Sequence, residues 1–180
     1  FSEYSESQFL DIGDPIDIGN STIGNSGGLD SEQYVINNLG NTVAVPINDL
    51  VVLNPYTYGV NIRVFGYDES TNLWTQKGND ISTNSGNKTT MKSLSINPDG
   101  SKILAVFSVN EYGGQSQKNA FIAEYEFQSN DWVMSNFVPI YSGFNIGNTI
   151  YYSLQKNKTV LILEQAAAIP GDYLKIKIFD

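Results

Sequence analysis

The chain alternates between short apolar stretches and clusters of turn-forming residues, and the same order of elements occurs three times along it. Each unit begins with a strand of alternating residues, and this period of two indicates one buried face. A tight turn follows, and its Asn, Asp and Gly content is typical of hairpins with positive φ angles. The pairs expected to face inward in these first strands are Tyr34 and Ile36, Leu94 and Ile96, and Tyr152 and Leu154.

Two further strands follow the turn in each unit. The second strand is a nearly continuous apolar run, which is typical of a strand buried on both faces. The third strand ends close to an aromatic residue. The predicted turns are 37–41, 97–101 and 155–158, the second strands are 43–45, 103–106 and 160–163, and the third strands are 62–68, 120–126 and 174–180.

The spacing between aromatic residues repeats from unit to unit. Seven positions separate Tyr67 from Trp74, and seven separate Tyr125 from Trp132. The segment 74–81 also matches 9–16, because each has an aromatic residue, a glycine four positions later and an isoleucine three positions after that. These matches predict one all-β repeat domain with a period of about 58 residues and four short strands per unit.

Three segments of the middle unit carry a family resemblance. They read WTQKGNDI at 74–81, SLSINPDGSKILAV at 93–106 and IAEYEFQSNDW at 122–132. The pattern resembles β-propeller repeats of the FG-GAP and WD40-like type, in three tandem copies. The resemblance implies a β-propeller section with three four-stranded antiparallel blades, a half or partial propeller.

The repeat boundaries divide the chain into four parts. Segment 1–13 is expected to supply a strand that completes a neighbouring or last blade, and it is followed by repeat 1 at 14–77, repeat 2 at 78–135 and repeat 3 at 136–180. Closed propellers have about four to eight blades, so three blades leave raw edges. A homodimer that closes a six-bladed ring, a fragment of a longer propeller and an open wedge all stay open as arrangements.

Composition narrows the chemistry. Ten Lys and Arg stand against 19 Asp and Glu, for a net charge of −9, which argues against nucleic-acid and anionic-membrane partners. Cys and His are both absent, so thiolate nucleophiles, imidazole bases and Cys/His zinc sites are excluded. Integrin-like members of the family bind calcium through a D-x-D-x-D-G loop. The turn 97–100 has one carboxylate, so we expect no metal and no cofactor.

Candidate ligand-binding residues lie in the long loops, all expected on one face. They combine tyrosine rings with carboxylates, a mixture suited to polar, uncharged ligands such as glycans, or to a protein partner. The alternative is a set of solvated loops whose tyrosines pack on their neighbours. The candidates are Tyr56, Tyr58, Glu111, Tyr112, Asp172 and Tyr173.

The expected function is therefore a non-catalytic structural or interaction module of an extracellular assembly, on a cell or virion surface. A sialidase is excluded because the chain has one arginine, Arg63, where that reaction needs three. The competing hypothesis is a carboxylate-dependent glycoside hydrolase using Asp30, Glu111 or Asp172.

Two further features have structural as well as functional interpretations. Trp74 and Trp132 could stack on sugars, but their repeated spacing favours packing between neighbouring units. Sequons at Asn20, Asn87 and Asn157 permit glycosylation without indicating it.

Overall fold

A computed structural model describes residues 13–18, 22–23, 34–48, 60–82, 88–110, 118–140, 146–155, 158–165 and 174–179. Within these residues the fold is all-β, since every regular element is a strand of an antiparallel sheet and no helix occurs. In particular, the described residues include no helix long and apolar enough to cross a membrane.

Sheet 1 is formed by the first part of the chain. Its strands are β1 (Thr22–Ile23), β2 (Val35–Ile36), β3 (Thr42–Asn48), β4 (Asn61–Asp68), β5 (Leu73–Gln76) and β6 (Ile81–Ser82). Strands β2 to β5 form a meander in chain order. Strand β1 pairs with β3 beyond β2, and β6 pairs with β4 beyond β5. Residues 77–80 therefore interrupt the outer edge of this sheet.

Sheets 2 and 3 continue the meander pattern. Sheet 2 contains β7 (Lys88–Ile96), β8 (Lys102–Asn110), β9 (Lys118–Gln128) and β10 (Asp131–Ile140), and sheet 3 contains β11 (Ile146–Gln155), β12 (Lys158–Gln165) and β13 (Leu174–Phe179). Each strand pairs with the next one along the chain. The described strands form three separate sheets, and none of these sheets closes on itself. Only sheet 2 consists of a four-stranded meander and nothing else. The all-β prediction is confirmed at this coarser level.

The first hairpin of sheet 1 and that of sheet 2 have the same turn. Asn37 and Asn97 are buried, and each Oδ1 accepts backbone N–H groups from the residues four and five positions later, at 2.8–3.0 Å. Gly40 and Gly100 have φ angles of 71° and 73°, which the other L residues rarely adopt. The positive φ angles predicted for these two turns are therefore confirmed.

Sheets 1 and 2 stack face to face on a common apolar core. Ala44, Ile62 and Val64 of sheet 1 share one cluster with Leu94 and Ile96 of sheet 2. This arrangement buries the inward pair predicted for sheet 2.

Sheet 2 is buried on its other face as well. Leu104, Val106 and Ile122 lie at positions alternate to the core face, and all three are buried. Strand β11 of sheet 3 packs beside β7 and β8. Sheet 2 therefore lies between sheets 1 and 3, in agreement with the apolar run that predicted a strand buried on both faces.

The inward pair predicted for sheet 1 is wrong. Tyr34 and Ile36 are 66% and 55% exposed, whereas Val35 between them packs against the core shared with sheet 2. Ile36 lies directly opposite Val43 across the strand pair, on the face of sheet 1 that points away from sheet 2. The physical reason is that no described element covers this part of the face.

Candidate functional site

The junction between sheets 1 and 2 is built by residues 77–80, which we call the docking segment. Lys77 N donates to Val64 O at 2.8 Å, which holds the start of the segment on β4. Arg63 donates through Nε and Nη2 to the two carboxylate oxygens of Asp80, at 2.7 and 2.6 Å. This two-bond ion pair is partly buried and fixes the end of the segment on the same strand.

The docking segment bonds to sheet 2 at three points. Trp132 Nε1 donates to Lys77 O at 2.7 Å, and Asn79 donates through N and Nδ2 to the carboxylate of Asp131, at 3.0 and 2.9 Å. Lys77 Nζ donates to Gly100 O at 2.9 Å. The docking segment is therefore held on sheet 1 at both ends, and its remaining hydrogen bonds join it to sheet 2.

Lys77 has an unusual position for a cation. Its Nζ lies 4.8 Å from the ring centre of Phe127 and 5.8 Å from that of Trp132, within the range of cation–π attraction. Partial burial lowers the pKa of Lys77, and the nearby charge of Asp99 opposes this shift. The ring faces and the Gly100 carbonyl together replace the water that an exposed lysine would keep.

Residues 13–18 contact sheet 1 in the same way that the docking segment contacts sheet 2. Gly13 has a φ of +73°, and a Cβ there would lie 3.1 Å from Trp74 Cδ1 and from Tyr67 Cε2. Gly78 has a φ of +78°, and its Cβ would lie 3.0 Å from Trp132 Cδ1 and 3.2 Å from Phe127 Cε2. The two glycines aligned by sequence therefore make the same contacts.

The same geometry settles the place of the tryptophans. Trp132 is buried in the core shared by sheets 1 and 2, and Trp74 packs in a second cluster with Ile16 and Ile18. The packing between neighbouring units that the spacing favoured is confirmed for Trp132, whereas Trp74 packs on its own sheet and on the segment 13–18. Neither ring is placed as an open platform for a sugar.

A cleft of about 480 Å³ opens beside the docking segment. It is lined by aromatic and polar groups that include Tyr67, Gln76 and Lys77. These polar groups bond within the protein: Tyr67 Oη donates to Asn72 Oδ1 at 2.6 Å, and Gln76 Nε2 donates to Gly78 O at 3.1 Å. The cleft consequently offers few uncommitted hydrogen-bonding groups, and we assign no ligand to it.

Carboxylates near the turns are also committed to local bonds. Hydrogen bonds from Ser70 lower the pKa of Asp68, and bonds from Ser101 lower that of Asp99. The bond from Lys102 lowers the pKa of Glu126, and the bonds from Asn79 lower that of Asp131. A general acid needs a raised pKa near the working pH, so these four groups are unsuited to that role. The described residues also include no group of three or more acidic side chains that could hold a metal ion.

The second feature of the site is the exposed part of sheet 1, which we call the open patch: Tyr34, Ile36 and the half-buried Val43. Ile36 and Ile96 each precede the asparagine that begins the shared turn, yet they are 55% and 9% exposed. The difference arises because sheet 1 covers Ile96. The open patch therefore corresponds to a surface that a neighbouring sheet covers in sheet 2, and no described element covers it in sheet 1.

The loop residues singled out by sequence fall outside the described residues. This applies to the hydrolase candidates, including Asp30, and to the three sequons. It also applies to all the ligand-binding candidates, which are Tyr56, Tyr58, Glu111, Tyr112, Asp172 and Tyr173. The structure neither brings them together nor separates them, and the loop-face hypothesis stays a prediction.

Sequence reasoning missed the docking segment and the open patch. The signal for the first was present, because Gly13 and Gly78 were aligned, but Asn79 and Asp131 are 52 positions apart and nothing local links them. Tyr34 and Ile36 carry the same alternation as a buried pair, so their exposure had no signal in the local pattern.

Comparisons with known proteins add no identification. No family model matches the chain, and neither a curated protein nor a solved structure matches it.

Proposed function

We propose that this chain is a non-catalytic interaction module, a section of a β-propeller in which the open patch receives a further β-sheet. The observation that carries the proposal is the difference in burial between Ile36 and Ile96, which occupy the same place before the same turn. Ile96 is covered by sheet 1, whereas Ile36 is exposed on a sheet that has the same hairpin turn.

The energetics favour a cover. Fully burying a side chain such as Ile or Tyr contributes about 1.5–3 kcal/mol relative to leaving it exposed. Tyr34 and Ile36 present two such side chains on one face, next to the apolar cluster of Val45, Ile47 and Phe65. A second sheet placed on this face would extend an existing core rather than create a new one.

The propeller part of the proposal is supported by how the sheets are joined. In a propeller, meander sheets stack face to face around an axis, and each chain segment that leaves one sheet contacts the next. Sheet 2 is such a meander between two others, and Gly13 and Gly78 make equivalent contacts to successive sheets. The expected setting is an extracellular assembly at a cell or virion surface.

The loop-rich face stays part of the proposal as a binding surface for a glycan or a protein. Its support is the tyrosine and carboxylate content of its sequence. The hydrolase candidates Asp30, Glu111 and Asp172 lie outside the described residues, and no described contact supports that hypothesis.

Thiol footprinting tests the proposal. The chain has no cysteine, so Ile36→Cys introduces a single thiol in the open patch, and Met134→Cys introduces one at a comparably exposed position on β10. Each variant is labelled with a maleimide inside the cells or particles that make the protein, and again after purification and dilution. We expect Cys at 36 to be protected in the native setting only, with Cys at 134 reactive in both. Equal reactivity of the two thiols in the native setting would rule the proposal out.

A further inference from the structure

We infer that Met134 is a reversible oxidation site, at which a peroxide converts the thioether to a sulfoxide while the chain stays folded. The inference is independent of the open patch and of the function proposed for it. Three observations carry it: the sulfur content of the chain, the difference in exposure between its two methionines, and the position of Met134 on the outer strand of sheet 2.

The sulfur chemistry of this chain is confined to two side chains. The sequence contains two methionines, Met91 and Met134, and no cysteine. Peroxides oxidise a thioether to a sulfoxide, and no thiol in this chain competes for the oxidant. The choice of site therefore lies between Met91 and Met134, and both are described residues.

The two methionines differ in their access to solvent. Met134 is 52% exposed, whereas Met91 is 4% exposed and belongs to the core shared by sheets 1 and 2. Met91 lies directly opposite Phe107, which is fully buried. A peroxide can therefore reach Met134 in the folded chain, but it reaches Met91 only when the core opens.

Met134 lies on the strand that ends sheet 2 on its outer side. Among the described strands, β10 pairs only with β9, and the sheet continues from β9 through β8 to β7. The pairing register shifts between Met134 and Asn136, so the ladder is irregular directly beyond the thioether. Because Met134 is half exposed on an outer strand, the added oxygen can point into water and keep its hydrogen bonds there.

Oxidation at this position changes the polarity of an apolar surface. Met134 lies opposite Tyr125, and Phe137 lies opposite Ala123, two positions away on β9. The two side chains are therefore on one face of sheet 2, the face that packs against sheet 1 at Trp132. Met134 and Phe137 are 52% and 51% exposed, so they extend this face beyond the covered area. A sulfoxide at Met134 makes that extension polar.

The chemical step is balanced by the peroxide alone. The sulfur lone pair attacks one oxygen of hydrogen peroxide, the O–O bond breaks and an S–O bond forms. The products are the sulfoxide and water, and sulfur loses the two electrons that the peroxide gains. A methionine sulfoxide reductase, with a thiol as the reductant, reverses the step.

The test is peptide mapping by mass spectrometry after the folded chain has been exposed to hydrogen peroxide. Trypsin releases the two methionines separately, Met91 in the peptide 89–92 and Met134 in the peptide 119–156. We expect Met134 to gain one oxygen atom at least about tenfold faster than Met91, because Met91 reacts only through opening of the core. We expect fragment ions to place the oxygen on Met134 and not on Trp132.

Met134→Leu is the matched control, because leucine keeps an apolar side chain of similar size without sulfur. This variant should take up no oxygen at the dose that fully oxidises Met134 in wild type. In concentrated urea, where the core is unfolded, Met91 and Met134 of wild type should react at similar rates. On hydrophobic-interaction chromatography of the folded protein, oxidised wild type should elute earlier than untreated wild type, and reductase treatment should restore the original retention.

The inference is overturned if Met91 in the folded chain reacts as fast as Met134, or if fragment ions place the oxygen on Trp132. It is also overturned if Met134→Leu takes up oxygen at the wild-type rate. Loss of the fold of oxidised wild type, measured by circular dichroism, or a retention that oxidation leaves unchanged would reject Met134 as a reversible site on the surface.

Discussion

Gly78 lies at the junction between sheets 1 and 2 in a conformation and a space that favour glycine. Its φ of +78° lies in the left-handed region, and a Cβ would lie within 3.3 Å of Trp132 Cδ1, Phe127 Cε2 and the Asp131 backbone. No side chain fits without moving a ring or a strand. The residue is therefore fixed by backbone geometry and by close packing at once.

We expect Gly78→Ala to lower the free energy of unfolding by about 1–2 kcal/mol or more, from left-handed strain plus crowding. Gly66→Ala is the matched control, because a Cβ at Gly66 meets only the Lys77 side chain at 3.8 Å. Urea unfolding of both variants measures the difference. Equal effects at the two glycines would contradict this description of the junction.

The hydrogen bonds of the buried Asn37 side chain give a second prediction for a single residue. Its buried Oδ1 accepts the N–H groups of Asn41 and Thr42, and its Nδ2 donates to Pro98 O of sheet 2 at 3.1 Å. Asn37→Ala leaves buried donors without a partner, so we expect a loss of about 1–3 kcal/mol in urea unfolding. Asn38→Ala, at an exposed position of the same turn, should change stability little. A comparable loss in both variants would show that the Asn37 bonds do not stabilise the turn.

At the scale of elements, the docking segment joins two sheets through a carboxylate on the surface. Asp131 accepts the Asn79 N–H and side-chain amide and the N–H of Trp132, and these bonds hold the pKa of Asp131 below its ordinary value of 3.8. The carboxylate is exposed, so solvent weakens the effect. The lowered pKa nevertheless defines the direction in which the stabilisation by Asp131 changes with pH.

A group with a lowered folded-state pKa stabilises the fold fully above its unfolded value and loses that effect as pH falls through the folded value. We therefore expect wild type to be more stable than Asp131→Asn at neutral pH, with the gap shrinking as pH falls below 3.8. Urea unfolding across that range measures it. In an Asn79→Ala background, the pH-dependent change in this stability difference should be smaller. A stability difference between wild type and Asp131→Asn that does not vary with pH would refute the role of these bonds.

Much of the element structure could be predicted from sequence, because its causes are local. Alternation predicted the first strands, apolar runs predicted β8 and β12, and the Asn and Gly residues predicted the turns. The exposure of Ile36 could not be predicted, because the pattern around it matches that around the buried Ile96. Whether a strand face is covered depends on a neighbouring sheet, and contacts such as Asn79 to Asp131 join distant positions.

At the scale of the whole molecule, the described sheets form a stack with unlike surroundings. Sheet 2 is covered on both faces, whereas sheet 1 carries the open patch. Along the sequence, the negative charge is concentrated in the first third, where residues 1–62 contain eight Asp and Glu and no Lys or Arg. The interaction proposed for this chain follows from that asymmetry.

The asymmetry itself is tested most directly by placing the same charge at Ile36 and at Ile96 and measuring urea unfolding at a concentration where the protein is monomeric. These residues share a place before the same turn, but they are 55% and 9% exposed. We expect Ile36→Glu to change the free energy of unfolding by less than about 1 kcal/mol, and Ile96→Glu to lower it by about 4 kcal/mol or more, because it buries an unpaired charge. Similar losses at both positions would contradict the account, since they would mean that the face of sheet 1 is already covered within a single chain.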